Sequence, residues 1–289
     1  MPPKIAIATC AEYPALTPDD GPLLAALATR GVETEPVIWS ADVHWSGFDG
    51  VLLRSVWDYY ERPREFAAWL DRLEREQVPC WNPPALVRWN LDKRYLRELA
   101  SKGVAIVPTL WIERASRPSS EEVVARILAT GWDEVVLKPT ISAGAWRTLR
   151  VRREDLPSHT AHVREVLLGS DLMAQPFLPE ILDEGEYSFL FFDGRFSHAV
   201  LKRAQADDFR VQWTHGGTQS AVTPSPSLVA QARAVLDAAP SPGLYARVDG
   251  IVRDGRLVLM ELEQIEPYLY FAEGPGSLDR FADALLALL

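Results

Sequence analysis

Arg247 with Asp249, and Glu261 with Glu263, set charged groups two positions apart in two apolar stretches near the end of the chain, with Glu266-Pro267 after them. Residues 245–252 and 256–263, rich in Val, Leu and Ile, read as strands joined by Arg253-Asp254-Gly255, where Asp-Gly is a hairpin turn signal. Side chains alternate faces with period two, so Arg247 and Asp249 share one face, and Glu261 and Glu263 share a face of the return strand. Three carboxylates and a guanidinium therefore converge. Like charges opposed across a ladder cost roughly 0.2–1 kcal/mol per pair, and a divalent cation offsets that cost. Oxygen-only ligands suit Mg2+, which fills its remaining positions with water and substrate phosphates. The plain alternative is a solvated hairpin face whose acids pair with Arg247, Arg253 and Arg256.

Further charged groups stand at strand ends. Glu134 to Pro139 reads as a strand carrying Lys138 at its end, then the small-residue loop Ser142-Ala143-Gly144-Ala145, then a strand around Thr148–Val151. Strand, flexible loop and strand is what a phosphate-covering flap requires, and it lacks the glycines and lysine-serine pair of a Walker loop. Lys202-Arg203, the run Asp208-Phe209-Arg210-Val211-Gln212 and Gly216-Gly217 can line an anion site or form a solvated loop. Near the amino terminus, Arg54-Ser55-Val56-Trp57-Asp58 closes a strand. There Arg54 could clamp a substrate carboxylate and Asp58 an amine with Trp57 as a wall, or the charges could form a surface ion pair.

The elements that must position these groups begin with strands at 4–9, 35–39 and 49–54 around a helix at 22–30. That alternation predicts a parallel α/β lobe with ligands at the carboxyl ends of its strands. A helix at 63–77 is expected to bury Phe66, Trp69, Leu70 and Leu73, and Pro79, Pro83 and Pro84 mark a lobe boundary. Asn90 is expected to cap the next helix, with Lys93 in its first turn, a placement that hints at a nearby anion. Strands follow at 171–178, 186–192 and 196–202, the last two joined through Asp193-Gly194, and a final helix is capped by Ser277.

The composition, 47% hydrophobic and 24% charged over 289 residues, is that of a folded globular chain large enough for two or three lobes. A net charge of -10 disfavours nucleic acid and anionic membranes as partners. Neither of the two cysteines, Cys10 and Cys80, belongs to a metal-ligand cluster, and the expected compartment is a reducing cytoplasm. The start is too short in apolar residues for a signal peptide, and no stretch reads as a membrane span.

In their order along the chain, these pieces resemble the ATP-grasp superfamily of carboxylate-amine ligases, from about residue 90 to the end. Within it, Arg54 to Asp58, Gln175-Pro176-Phe177-Leu178, Asp208 to Gln212 and Glu261-Leu262-Glu263-Gln264-Ile265-Glu266-Pro267 are most similar to the cyclo-ligases of D-cycloserine biosynthesis. The resemblance implies an α/β ATP-grasp fold with an amino-terminal parallel lobe at 1–88, a central lobe at 89–175 and a carboxy-terminal antiparallel-sheet lobe at 176–289, the last two clamping ATP. It implies that Lys93 and Lys138 reach the ATP phosphates, that Gln175 and the backbone of Phe177 and Leu178 read the adenine, and that Glu186 holds the ribose. Lys202, Arg210 and Gln212 would face the triphosphate or the substrate, and Arg247 would stabilise charge during phosphoryl transfer. Asp249, Glu261 and Glu263 would hold Mg2+. Glu263 stands where many relatives carry asparagine, and the flap from Ser142 to Trp146 is poorer in glycine than theirs.

The activity so implied is an ADP-forming ligase that converts a small amino acid-like carboxylate to an acyl phosphate for attack by an external or internal nitrogen. Phosphoryl transfer asks mainly for positioning and charge neutralisation, which metal-bound carboxylates, lysines and an arginine supply. A non-catalytic ATP-binding sensor or scaffold and a small-molecule kinase are the competing readings. The aromatic content, with ten tryptophans, permits a homodimer without requiring one.

Overall fold

The computed structural model describes residues 2–205, 208–211 and 215–289, which form three four- or five-stranded sheets. The first contains β1 (Lys4–Thr9), β2 (Glu33–Ile38), β3 (Gly50–Ser55) and β4 (Cys80–Trp81), with α1 (Asp20–Ala28) and α2 (Pro63–Arg75) between them. Its order is β2-β1-β3-β4 and every pairing is parallel. Both faces of β1 and β3 are buried, as a parallel sheet covered on two sides requires. Ile5, Ile7 and Leu52 pack towards Leu23 and Leu27 of α1, while Ala6, Val51 and Leu53 pack towards α2. Phe66, Trp69, Leu70 and Leu73, the stripe expected of α2, are its buried residues. Helix α1 starts earlier than Pro22, because the Asp20 carboxylate accepts the Thr17 hydroxyl at 2.7 Å and fixes the turn before it.

The second sheet has the order β5-β8-β6-β7 and is antiparallel. It is preceded by α3 (Pro84–Asn90) and α4 (Tyr95–Ser101) and built from β5 (Leu110–Ile112), β6 (Glu134–Pro139), β7 (Leu149–Arg152) and β8 (Leu172–Pro176). Helices α5 (Ser120–Leu128) and α6 (Thr160–Gly169) complete this part of the chain. Helix α3 stands where the prolines suggested only a break; Pro84 is its first residue, a position that needs no N–H donor. Asn90 does not cap α4. It ends α3, and its side chain donates to the Leu262 carbonyl at 2.7 Å and accepts the Gln264 N–H at 2.7 Å. Lys93 lies in the turn before α4 rather than within its first turn. Packing also departs from chain order, since Tyr95, Leu96 and Leu99 of α4 join a core with Phe189, Val248 and Leu262 of the third sheet. The Leu259 N–H donates to Ala105 O at 2.8 Å, extending that attachment.

After α7 (Glu180–Asp183), the third sheet contains β9 (Glu186–Phe192), β10 (Arg195–Arg203), β11 (Thr218–Val222), β12 (Tyr245–Arg253) and β13 (Arg256–Glu263), with α8 (Pro226–Ala238) and α9 (Ser277–Leu286). Its order is β11-β10-β9-β12-β13, antiparallel throughout. Asp193-Gly194 and Asp254-Gly255 form its two tight turns, all four residues having positive φ as such hairpins require. Ser277 is the first residue of α9 rather than its cap; its hydroxyl donates to Phe271 O at 3.1 Å. Phe281 and Leu285 of α9 pack with Leu23 and Leu27, so the chain's end closes on the first sheet. Among the described residues, no helix is long and apolar enough to cross a membrane.

Candidate active site

The hairpin β12–β13 places its charges in register. Arg247 lies opposite Glu263 and Asp249 opposite Glu261, and the register shifts by one residue between Asp249 and Gly250. A side chain at Gly250 would meet the Val258 carbonyl oxygen at 2.5 Å, so this shift depends on glycine. On its other edge β12 pairs with β9, setting Ser188 opposite Asp249, and β9 pairs with β10, setting Glu186 opposite Lys202. Alternation therefore carries one charged face across four strands. That face lines a cleft of about 450 Å3 between the second and third sheets.

The charges interlock. Arg247 donates through Nε to both Asp249 oxygens at 3.0 and 3.1 Å and through a terminal nitrogen to Glu263. Asp249 also accepts the Ser188 hydroxyl, and Lys202 bonds Glu186 and lies 3.5 Å from Asp249. Burial would raise Asp249, but Arg247 and Lys202 hold its carboxyl below the usual range. Burial prevails at Glu263, which is pushed up despite Arg247 because the Asp249 and Glu261 carboxylates repel its charge. Burial also raises Glu186 against the pull of Lys202, and Asp249 adds to the rise.

The second sheet and the turn before α4 supply cations to the opposite wall. Lys93 is buried, donates to the Ser142 carbonyl in the flap, and pairs with Glu261 at 3.0 Å. Its own N–H donates to Thr140 O at 2.8 Å, which fixes the turn against the end of β6. Among the described residues Lys138 has no carboxylate partner within salt-bridge distance; burial lowers its pKa, with Lys93 adding to that effect and Glu261 opposing it. A desolvated ammonium short of a counter-ion is poised for an anion.

The other end of the cleft is apolar, lined by Val107, Leu178, Ile181, Val211 and Met260. Gln175 reaches it with its amide donated to Thr109 Oγ1 at 2.9 Å. The Phe177 N–H donates to the Glu134 carbonyl at 2.9 Å, so that residue offers a ligand its carbonyl and its ring. Arg210 lines the cleft but is held by Asp208 at 2.8 Å, and Gln212 lies outside the described residues.

Two of the three residues expected to bind substrate in the first lobe stand elsewhere. Arg54 is 2% exposed, donates to Asp20 at 2.6 Å and to the Pro267 carbonyl at 3.2 Å, and does not line the cleft. A strand-end position made it look accessible, but α1 and residues 267–271 cover it. Asp58 accepts from Trp39 Nε1 and from Arg62 and is likewise outside the cleft. Trp57 does line it, stacking edge-on to Tyr13 at 5.0 Å and donating to the Glu266 carbonyl at 3.0 Å.

Glu266, Tyr13, Tyr268 and Tyr270 also line the cleft, and sequence reasoning did not single them out as site residues. Glu266 follows the end of β13, where strand alternation stops, so no local period aims it. Burial pushes its carboxyl up to about 7, with Lys93 opposing and Glu261 reinforcing.

The donor set suits a hard cation: Asp249, Glu261 and Glu263 present carboxylate oxygens only. As they stand, no three His, Cys, Asp or Glu side chains among the described residues are grouped closely enough to hold an ion. Arg247 and Lys93 occupy those oxygens instead, and a cation binding there would compete with them.

A family profile described as the N-terminal domain of D-cycloserine synthetase DcsG matches residues 5–82. The cycloserine biosynthesis protein DcsG of Streptomyces lavendulae is 34% identical over 285 residues, covering 92% of each chain. The crystal structure of D-cycloserine synthetase DcsG superposes with a TM-score of 0.90 at 31% identity, covering 99% of each chain. The D-alanine–D-alanine ligase of Bacillus anthracis shares the fold at a TM-score of 0.68 and 16% identity, over 98% of this chain and 94% of its own.

Proposed function

This chain belongs to the family of the D-cycloserine synthetase DcsG, ATP-dependent ligases of ATP-grasp fold, and from that membership we propose that it closes a carbon–nitrogen bond at the expense of ATP, releasing ADP and phosphate. The substrate class is a small amino acid-like molecule whose carboxylate is activated as an acyl phosphate. The nitrogen that attacks it belongs to the same molecule, as ring closure to cycloserine requires.

The observation that carries this reading is the convergence of Lys93, Lys138 and Arg247 with Asp249, Glu261 and Glu263 in one cleft that is apolar at its other end. An apolar slot beside Gln175 and Leu178 suits a purine, and the cationic end suits a triphosphate. Lys138 lacks a carboxylate partner among the described residues, so a phosphate supplies the charge it is missing. Arg247, fixed by Asp249 and Glu263, would stabilise the negative charge that develops on the transferring phosphoryl group. Asp249, Glu261 and Glu263 would hold Mg2+, which neutralises phosphate charge when bound. The flap at 142–146, tied to Lys93, excludes water from a carboxyl group made reactive.

The test is a titration of the protein with ATP, with and without Mg2+, followed by thermal shift and by release of phosphate over a panel of amino acids and O-substituted serines. Mg2+-dependent stabilisation with substrate-triggered ADP and phosphate is the expected result. AMP with pyrophosphate refutes the acyl-phosphate route, a stable phosphorylated product makes the protein a kinase, and no thermal shift removes the nucleotide site altogether.

A further inference from the structure

Arg150 stands behind the wall of the cleft and contacts three segments at once. It lies on β7 opposite Val136 of β6, and alternation puts it on the sheet face that carries Glu134, Val136 and Lys138. Its guanidinium bonds Glu134 in two parallel contacts of 2.9 Å each, a fork-to-carboxylate pairing that fixes the plane of the group. That plane rests 3.6 Å from the ring centroid of Phe177, in the connection that leaves β8. Phe209 approaches from the third-sheet side, its ring 6.2 Å from Phe177 at 88° and 5.9 Å from the Arg150 guanidinium.

Both rings line the apolar end of the cleft, whereas Arg150 does not. Each ring is also fixed at its own backbone. Phe177 N–H is bonded to Glu134 O, and Phe209 N–H to the Asp208 carboxylate at 2.7 Å, which also accepts Arg210 N–H at 2.9 Å. Glu134 thus holds Phe177 twice, through its carbonyl directly and through its carboxylate by way of Arg150. A planar cation against one ring and near a second holds both at fixed angles, and stacking of this kind stabilises in proportion to how well it is desolvated.

We propose that Arg150 is a positioning residue for the nucleotide's base: by clasping Phe177 of the central segment to Phe209 of the loop at 208–211, it sets the aromatic corner against which a purine ring packs. This rests on the nucleotide reading of the cleft. The triphosphate end is built from Lys93, Lys138 and the β12–β13 acids, none of which Arg150 bonds. Its influence therefore falls on ligands that carry a base and leaves those consisting of phosphate alone unaffected.

The experiment compares the full-length protein with R150M, R150K and E134Q, measuring ATP affinity, steady-state KM and kcat, and inhibition by inorganic tripolyphosphate. R150M is expected to raise the KM for ATP roughly tenfold, about 1.4 kcal/mol, with kcat within about twofold and tripolyphosphate affinity unchanged. R150K, which keeps the charge without the planar fork, should fall between R150M and the parent, and E134Q should weaken ATP in the same direction. R150K decides the matter if R150M is too unstable to assay. Unaltered ATP affinity in R150K and R150M overturns the proposal, and so does equal weakening of ATP and tripolyphosphate, which would make Arg150 a general support of the fold. Failure of the parent protein to bind ATP at all would instead remove the functional reading on which the proposal stands.

Discussion

Lys93 and Glu261 form an ion pair of 3.0 Å within the cleft, joining the turn before α4 to β13, while the same ammonium donates to the Ser142 carbonyl of the flap. One side chain therefore faces the phosphate end, a carboxylate suited to a cation, and the segment that covers both.

Replacing Lys93 by Met should separate these roles. ATP affinity is expected to fall at least tenfold, because a buried cation facing the triphosphate is lost. Binding of Mg2+ in the absence of nucleotide should tighten roughly fivefold, because a partly exposed ion pair worth about 1 kcal/mol no longer competes for Glu261. Calorimetric titration with each ligand checks both signs. Weaker Mg2+ binding in the variant would show that Lys93 supports the acids instead of competing with a cation for them.

Arg54 should prove to be a stability residue. It is buried with Asp20 at 2.6 Å and Asp19 at 4.0 Å, and removing one partner of a buried ion pair costs about 3–5 kcal/mol. Arg54→Leu is expected to lose stability of that order in urea denaturation, while the folded fraction keeps its substrate KM. A raised KM at full stability would return Arg54 to the role of a substrate clamp.

His198 predicts an acid-sensitive segment beside the cleft. Its Nε2–H lies 3.0 Å from Leu269 O and 3.1 Å from Tyr270 O, while Nδ1 faces the Ser197 hydroxyl at 2.9 Å. Burial lowers its pKa to about 4, and Arg280 adds to the effect. A folded-state pKa below the unfolded one means that the unfolded chain takes up the proton first. The contribution is therefore complete above pH 6.5 and is lost as pH falls towards 4, by roughly 3 kcal/mol in all. Buried carboxyls such as Asp19, raised by burial to about 6, drift in the opposite sense, so the comparison must be made against a variant. His198→Phe should flatten the fall in Tm between pH 6.5 and 4; an unchanged pH profile would exclude His198 as its source.

Tyr60 touches the flap. Its ring lies 5.3 Å from that of Trp146, and Arg147 sits 4.3 Å over the other ring's centroid while pairing with Glu165 at 2.9 Å. An aromatic pair of this kind is worth about 1 kcal/mol, so Tyr60→Ala should open the flap several-fold more often. More phosphate should then be released per molecule of ligated product, as activated carboxylate is lost to water. A phosphate-to-product ratio that stays at the parent's value would show that flap closure does not depend on this contact.

The hairpin at 245–263 was legible because its information is local. Period two puts Arg247 with Asp249 and Glu261 with Glu263, but a two-residue Asp-Gly turn in straight register sets Asp249 opposite Met260; the one-residue shift at Gly250 is what brings the two pairs to a common face. The buried stripe of α2 was legible for the same reason, with period 3.6 in place of two. What lies over each face was not encoded nearby. Arg54 sits at the end of a well-read strand, yet whether it meets substrate or Asp20 depends on α1 and on Pro267, more than two hundred residues away. Asn90 looked like a cap because helix capping is a local preference, and it was claimed instead by the backbone of Leu262 and Gln264. Glu266 has no neighbouring period to aim it, and only the packing of residues 265–271 against the first sheet turns it into the cleft. Sequence alone thus determined which residues share a strand or helix face, because covalent geometry sets that spacing. Tertiary structure decided which of those faces stay open to a ligand and which are closed, because burial is settled by segments the chain brings together only on folding.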